Sequence, residues 1–341
     1  FLEPKDIPDL PNILGKALRR PGSSLQAKTS GQTALGNGRL LTTPGYAYLR
    51  VSDGCDRKCA YCSIPMIRGS MISEPIEKLE AEAIELAAGG ASELVLVAQD
   101  LCSYGLDVGL KNGLNRLLVR LEKIDQFSWI RLMYLHPNGF PKGLFSMMRD
   151  SEKILPYLDI PIQHISENVL KNMGRPWKSG AIKKIIETAR NEVPGIVLRT
   201  TVMVGYPGES DDDFDELRKF VEWAEIDRVG VFAYSPEEGT RAFELSDTVT
   251  PETKQARMDE IVEIHSRYQQ RRNRDKIGDV EAAIVEGYSS ETELLLQGRL
   301  WDQAPEVDGS LFITDGNAEA GGIYRVRINE FNGPDFFGEI V

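Results

Sequence analysis

With 341 residues and a hydrophobic fraction of 41%, the chain is long enough for one large domain plus a small one. No apolar run reaches membrane-spanning length and no secretory signal is evident, so composition predicts a soluble protein with no membrane partner. The net charge of −12 is uneven: Asp279–Val341 carries thirteen Asp/Glu against Arg299, Arg325 and Arg327, a net of −10. Such a tail repels phosphate backbones and attracts basic partners, unless it is only solubilising surface.

Residues 1–44 are rich in Pro, Gly, Ser and Thr and read as a linker, with one helical turn over Asn12–Leu18. The chain opens Phe-Leu-Glu-Pro without Met, so this stretch is expected to be the remnant of a missing N-terminal domain. From Tyr46 to Tyr234 strand-like and helix-like stretches alternate six times. Ala47–Val51 is the first predicted strand, and Ile76, Leu79, Ala83 and Leu86 mark a helix opening near Pro75 and ending at Gly89-Gly90. The other strands are Leu94–Ala98, Trp129–Leu135, Tyr157–Ile162, Ile196–Val204 and Arg228–Tyr234. Apolar periodicity places helices between them, as at Leu114, Leu117, Leu118 and Leu121.

Six βα units with buried-type strands predict an α/β domain over residues 45–278. The expected form is a split (βα)6 partial barrel, with an open doubly wound sheet as the alternative. A long helix from Thr250-Pro251 closes it. The cations of Arg267–Lys276 at that helix's end suit the helix dipole and read as a solvated face rather than a nucleic-acid contact. Residues 279–341 hold four β runs, Glu281–Glu286, Glu293–Arg299, Ser310–Ile313 and Ile323–Glu330. They predict a small all-β barrel or sandwich.

The residues leaving each predicted strand gather chemistry. Cys55, Cys59 and Cys62 follow the first, Gln99 and Asp100 the second, His136 the third, Gln163 and His164 the fourth, and Gly205, Pro207, Gly208 and Glu209 the fifth. A barrel places its site at that end. Four cysteines, three of them clustered, fit a reducing cytoplasm, where such a cluster means metal or catalysis. Structural zinc wants four ligands, and here the fourth would have to be Cys102 or a distant His. A 4Fe–4S cluster on three thiolates keeps one iron open, able to chelate an amine and a carboxylate. Cys102 reads as a small buried residue.

Cys55-x3-Cys59-x2-Cys62 after the first strand resembles the signature of the radical S-adenosylmethionine superfamily. Tyr48–Cys55, Ile64-Pro65, Arg68-Gly69 and Val204–Glu209 resemble the methylthiotransferases within it, and the terminal β domain resembles their TRAM module. Leu158–Ser166 and Val97–Asp100 resemble the RimO group rather than the tRNA-modifying MiaB group.

The resemblance implies a radical SAM partial barrel with a TRAM-like domain. It also implies S-adenosylmethionine bound at the open iron, an electron donor, and a methylthio group placed on the β-carbon of an aspartate in small-subunit ribosomal protein number twelve. The acidic tail suits that basic ribosomal protein better than tRNA. The alternatives are a tRNA methylthiotransferase and a non-catalytic metal-binding docking module. The family's second 4Fe–4S cluster belongs to an N-terminal domain whose cysteines this chain lacks, so the chain alone is expected to cleave S-adenosylmethionine without completing methylthiolation. A monomer is expected.

In role, Cys55, Cys59 and Cys62 would ligate the cluster. Tyr61, Gln99, Gln163, His164 and Arg199 are candidates for S-adenosylmethionine. Gly205 and Gly208 would permit close approach of the backbone to adenine. Asp100 and His136 are further candidates, Glu209 is expected to brace the following helix, and no residue is assigned a catalytic role.

Overall fold

The computed structural model describes residues 33–34, 40–41, 44–175, 177–289 and 294–341. The expected linker, with its turn at Asn12–Leu18, lies almost wholly outside them. Within residues 1–43 only a short antiparallel pair, Thr33–Ala34 with Leu40–Leu41, is described.

The six predicted strands are β1 (Gly45–Arg50), β2 (Ala91–Val97), β3 (Trp129–Leu132), β4 (Ile154–Asp159), β5 (Val197–Val204) and β6 (Arg228–Ala233). All pair in parallel, each with its neighbour in sequence. An unreversed order puts every crossover helix on one face of the sheet, which excludes the doubly wound alternative. The sheet therefore curls into a partial barrel without pairing β1 to β6.

Its two faces differ in what they bury. On the outer face Leu94 and Leu96 pack with Leu79, Ala83 and Leu86 of α2 (Ile76–Ala88) and Leu117 and Leu121 of α3 (Gly113–Leu121). On the inner face Val95, Trp129, Met133, Tyr157 and Val197 form a separate cluster with Ile284 and Ala304 from the C-terminal domain. Burial on both faces explains why the strands read as continuous apolar runs. Five further helices complete the domain's set after the short α1 (Ile64–Arg68): α4 (Leu144–Asp150), α5 (Glu167–Asn172), α6 (Ser179–Glu192), α7 (Asp211–Ala224) and α8 (Pro251–Asp275). Ser210 and Asp213 cap α7 reciprocally, and three Asp in its first turn suit the dipole.

The fourth strand departs from expectation. It runs Ile154–Asp159 instead of Tyr157–Ile162. Pro161 has no N–H for a ladder, so the chain leaves the sheet there and rejoins only at the single bridge of Gln163 to Val202.

The C-terminal domain is a closed barrel of β7 (Val280–Tyr288), β8 (Leu296–Leu300), β9 (Leu311–Asp315), β10 (Ile323–Asn332) and β11 (Asp335–Ile340), which settles barrel over sandwich. β11 has no counterpart among the four predicted runs. It closes the barrel by pairing in parallel with β9 and antiparallel with β10. Gly338 is required there: a Cβ would lie 2.4 Å from the Arg327 carbonyl.

Charge joins the two domains. Glu93, fully buried on β2, accepts from Arg131 Nε at 2.6 Å and from Arg299 Nη2 at 2.7 Å, and Arg299 Nε reaches Glu286 at 2.6 Å. Burial alone would raise the Glu93 carboxyl, but the two guanidiniums outweigh it and hold it below its ordinary value. Arg272 of α8 and Lys276, the residue that caps its C-terminus, each meet buried Asp302 at 2.8 Å. These two cations are therefore paired across the joint and are not part of a solvated face. Asp302 and Asp308 are likewise spent inside the molecule. Asp279, Glu306, Asp315, Glu319 and Glu330 are the described acids of the tail that stay exposed.

Removing one member of a buried ion cluster strands the others, at about 3–5 kcal/mol. Glu93→Ala should therefore lower unfolding free energy by about that much in denaturant titration, whereas a loss under about 1 kcal/mol would mean the joint does not depend on this carboxylate.

Candidate active site

A cavity of about 570 Å³ opens where the six strands end. After β1 the chain forms a short ribbon, Ser52–Asp53 against Ile72–Ser73, and then turns at Gly54. Gly54 has φ +73, and a Cβ there would sit 2.2 Å from the Ser70 carbonyl, so only glycine fits. This turn presents the loop carrying Cys55, Cys59 and Cys62, all three of which line the cavity.

The loop is braced from several sides. Arg57 Nε pairs with buried Asp100 at 2.7 Å, and its Nη2 donates to the Asn138 carbonyl at 2.7 Å. The Ala60 amide donates to the Met173 carbonyl at 2.8 Å, and Arg241 donates to the Lys58 carbonyl. Each cysteine sulfur has an N–H donor. The Arg57 amide reaches Cys55 at 3.4 Å, Arg175 Nε reaches Cys59 at 3.4 Å, and the Ile64 amide serves Cys62. Burial pushes the Cys55 and Cys62 thiols up, so loading a metal there displaces protons.

Among the described residues no three His, Cys, Asp or Glu side chains converge enough to hold a single metal ion. Structural zinc draws four ligands onto one centre, whereas a 4Fe–4S cluster takes three thiolates, each on a different iron, and leaves the fourth iron open, which is the number of cysteines this loop supplies.

Buried polar atoms without partners face the same space. Gln99 Oε1 and His136 Nε2 are both unpaired, and both residues line the cavity. Gln99 Nε2 makes a long contact, 3.5 Å, to Asp53. His136 Nδ1 lies 3.3 Å from the Asn138 amide and 3.4 Å from the Asn138 carbonyl, which leaves Nε2 for the cavity. An unpaired amide oxygen and an unpaired ring nitrogen on one cavity suit a polar ligand such as an amino acid or a ribose.

Tyr61 and Gln163 also line the cavity, Gln163 with φ +70. Arg199 does too, but Asp159 Oδ1 at 2.9 Å and Asp308 Oδ1 at 3.3 Å already balance its charge. His164 is not at the mouth. It is fully buried, its Nδ1 accepts from the Ser166 amide at 3.0 Å, and its Nε2 lies 3.7 Å from Glu209. The early end of β4 turns it inward and leaves Gln163 facing the cavity.

Gly205 and Gly208 do not line the cavity either. A Cβ on Gly205 would strike Lys254, and the Gly208 amide donates to Thr248. Glu209 accepts from the Gly205 amide and pairs with Arg257 at 2.7 Å, bracing α8 against the start of α7. Asp100 serves through Arg57. Cys102 is half-buried against the outer core, away from the cavity.

Sequence reasoning passed over Arg175, Tyr134, Thr201, Phe232 and Val307, all of which line the cavity. Tyr134, two residues past the end of β3, has φ +59, a strained backbone at the site. Val307 comes from the C-terminal domain, so the cavity is completed across the domain joint.

A partial (βα)6 barrel with a Cys-x3-Cys-x2-Cys loop at its mouth defines an iron–sulfur enzyme of the radical S-adenosylmethionine class. Comparison with known proteins agrees. The Radical SAM superfamily model matches residues 49–221, and the TRAM domain model matches residues 277–341. The chain is 47% identical to the ribosomal protein uS12 methylthiotransferase RimO of Trichlorobacter lovleyi over 89% of its own length and 68% of the relative's. With the protein of the same name from Flavobacterium johnsoniae it shares 39% identity, over 98% of its length and 76% of the relative's. Among solved structures, coproporphyrinogen III oxidase (HemN) from Escherichia coli, a radical SAM enzyme, matches with a TM-score of 0.51 at 17% identity, covering 66% of this chain and 53% of that one. The chain belongs to the RimO family of methylthiotransferases.

All three histidines are held neutral by burial. His136 is lowered to about 3 and His164 to about 4, and His265 is lowered as well. The unfolded chain takes up protons on His136 and His164 near the ordinary histidine value that the folded chain does not, and the lowered His265 acts in the same direction, so stability falls as pH drops through that value. Urea midpoints should decline from pH 7 to pH 5, with His136 and His164 imidazole NMR signals that stay neutral at pH 5. A midpoint that is flat or rises would contradict the assignment.

Proposed function

We propose that this chain supplies the radical-generating half of an enzyme that methylthiolates the β-carbon of an aspartate in ribosomal protein uS12, the second 4Fe–4S cluster of that reaction having no ligand set among its four cysteines. The carrying observation is the loop of three cysteines, each with its own N–H donor, at the mouth of a barrel that its C-terminal domain completes. Relatives named for that activity, 39–47% identical over at least two thirds of their length, support the reading.

Cys55, Cys59 and Cys62 would hold a 4Fe–4S cluster. With S-adenosylmethionine bound, that centre supplies one-electron cleavage of a sulfonium and so a 5′-deoxyadenosyl radical. The chain's own residues bind and orient. Gln99 Oε1 is placed to accept from an amino or hydroxyl group, and His136 Nε2 is free to hydrogen-bond a polar group of the cofactor. Tyr61, Gln163, Phe232 and Val307 wall the same cavity. Arg199 serves the joint between domains more than the cofactor, because two carboxylates already neutralise it. An external electron donor and the ribosomal protein complete the set of partners, and a ribosomal substrate implies action in the cytoplasm.

Docking of a basic protein would fall to the exposed acids of the C-terminal domain. Glu306 is the most telling, because it neighbours Val307 at the cavity wall. The acids buried in the joint cannot contribute, so the attraction is weaker than the tail's net charge suggests. The same surface disfavours tRNA.

Binding of uS12 and of tRNA across a salt series separates the substrates. The expected result is uS12 binding that weakens with salt and is reduced several-fold by Glu306→Lys, with tRNA bound weakly. Tight tRNA binding without uS12 binding would reverse the substrate assignment.

A further inference from the structure

Arg175 stands apart from the other guanidiniums of the cavity. Arg57 is answered by Asp100 and Arg199 by Asp159 and Asp308. Arg175 is only 6% exposed, yet among the described residues no carboxylate lies within ion-pair distance of it. Its acceptors are the Pro161 carbonyl, 2.7 Å from Nη1, and Cys59 Sγ, 3.4 Å from Nε. Its guanidinium lies 5.1 Å from the centre of the Trp177 ring. A buried cation with no counter-charge is costly, so the site is built for an anion that the protein itself does not provide.

The position is fixed by backbone packing rather than by chance of rotamer. Gly174, with φ +71, lets the chain approach the cysteine loop so closely that a Cβ would lie 2.5 Å from the Lys58 carbonyl. The Met173 carbonyl accepts from Ala60, and the Arg175 amide donates to the Leu170 carbonyl at 2.7 Å. The end of α5 and the cysteine loop therefore move as one body, with Arg175 held against the middle cysteine.

We propose that Arg175 is the counter-ion of the cluster and sets its reduction potential through Cys59. This rests on the proposed cluster. A cluster on three thiolates is anionic and gains a further negative charge on reduction. A hydrogen-bonded guanidinium beside one ligand stabilises the reduced form more than the oxidised form, which raises the midpoint potential. Arg175 acts through Cys59 and is a positioning residue, not a catalytic one.

The test is a redox titration of the anaerobically reconstituted full chain, followed by electron paramagnetic resonance without S-adenosylmethionine. Wild type, Arg175→Lys and Arg175→Met are compared, with iron content measured on each. Arg175→Met should shift the midpoint to a more negative potential at unchanged iron content, and Arg175→Lys should restore most of the shift. If Arg175→Met cannot hold iron, the reading passes to iron content: recovery in Arg175→Lys supports the counter-ion, and equal loss in both overturns it. Equal midpoints for wild type and Arg175→Met would overturn the proposal while leaving the cluster intact. A wild-type chain that takes up no cluster would overturn the cofactor reading itself.

Discussion

An open, curled parallel sheet has an inner face that must be covered, and here the cover is a second domain carrying charge into the gap. Six strands do not close a barrel, so the inner cluster around Tyr157 and Trp129 would meet water without the C-terminal domain. Ile284 and Ala304 supply apolar cover. Arg299 supplies the second guanidinium that Glu93 needs, and Asp308 accepts from Tyr157 at 2.5 Å while pairing with Arg199. Breaking any of these leaves an uncompensated charge indoors, so the two domains are obliged to keep one arrangement.

That constraint reaches the site. Asp308 holds Arg199, and its neighbour Val307 forms part of the cavity wall. The C-terminal domain is thus also a structural part of the pocket. The acids of that domain divide into two sets with different work. Asp302 and Asp308 are buried and hold the fold together, while Glu306, which accepts from the Tyr46 hydroxyl at 3.1 Å, and Asp279, Asp315, Glu319 and Glu330 stay exposed. Around the cysteine loop the same economy appears in cations: Arg57 is balanced by Asp100, and Arg175, which donates to Cys59, has no carboxylate partner among the described residues.

Much of this was legible because it was local. The cysteine spacing, the strand before it and the polar strand ends are properties of short windows, and they gave the barrel, its mouth and the three cysteines that line it. What failed depended on contacts remote in sequence. Pro161 ends β4 early, which turns His164 into the core and leaves Gln163 at the cavity. β11 hides because its alternation passes through Gly338, a residue demanded by the close approach of β10. The basic end of α8 looked solvated because Asp302, its partner, lies 26 residues beyond Lys276. Arg175 carried a signal that could have been used: a Gly-Arg pair at a helix end is well suited to press a charge against another loop.

The central claim is that the mouth of this barrel binds a cluster that cleaves S-adenosylmethionine. Its most direct test is the formation of 5′-deoxyadenosine by the anaerobically reconstituted chain with S-adenosylmethionine and a strong reductant. The account predicts product from the wild-type chain and none from Cys59→Ala, which lacks one of the three ligands. A fully loaded, reduced wild-type chain that forms no 5′-deoxyadenosine would contradict it.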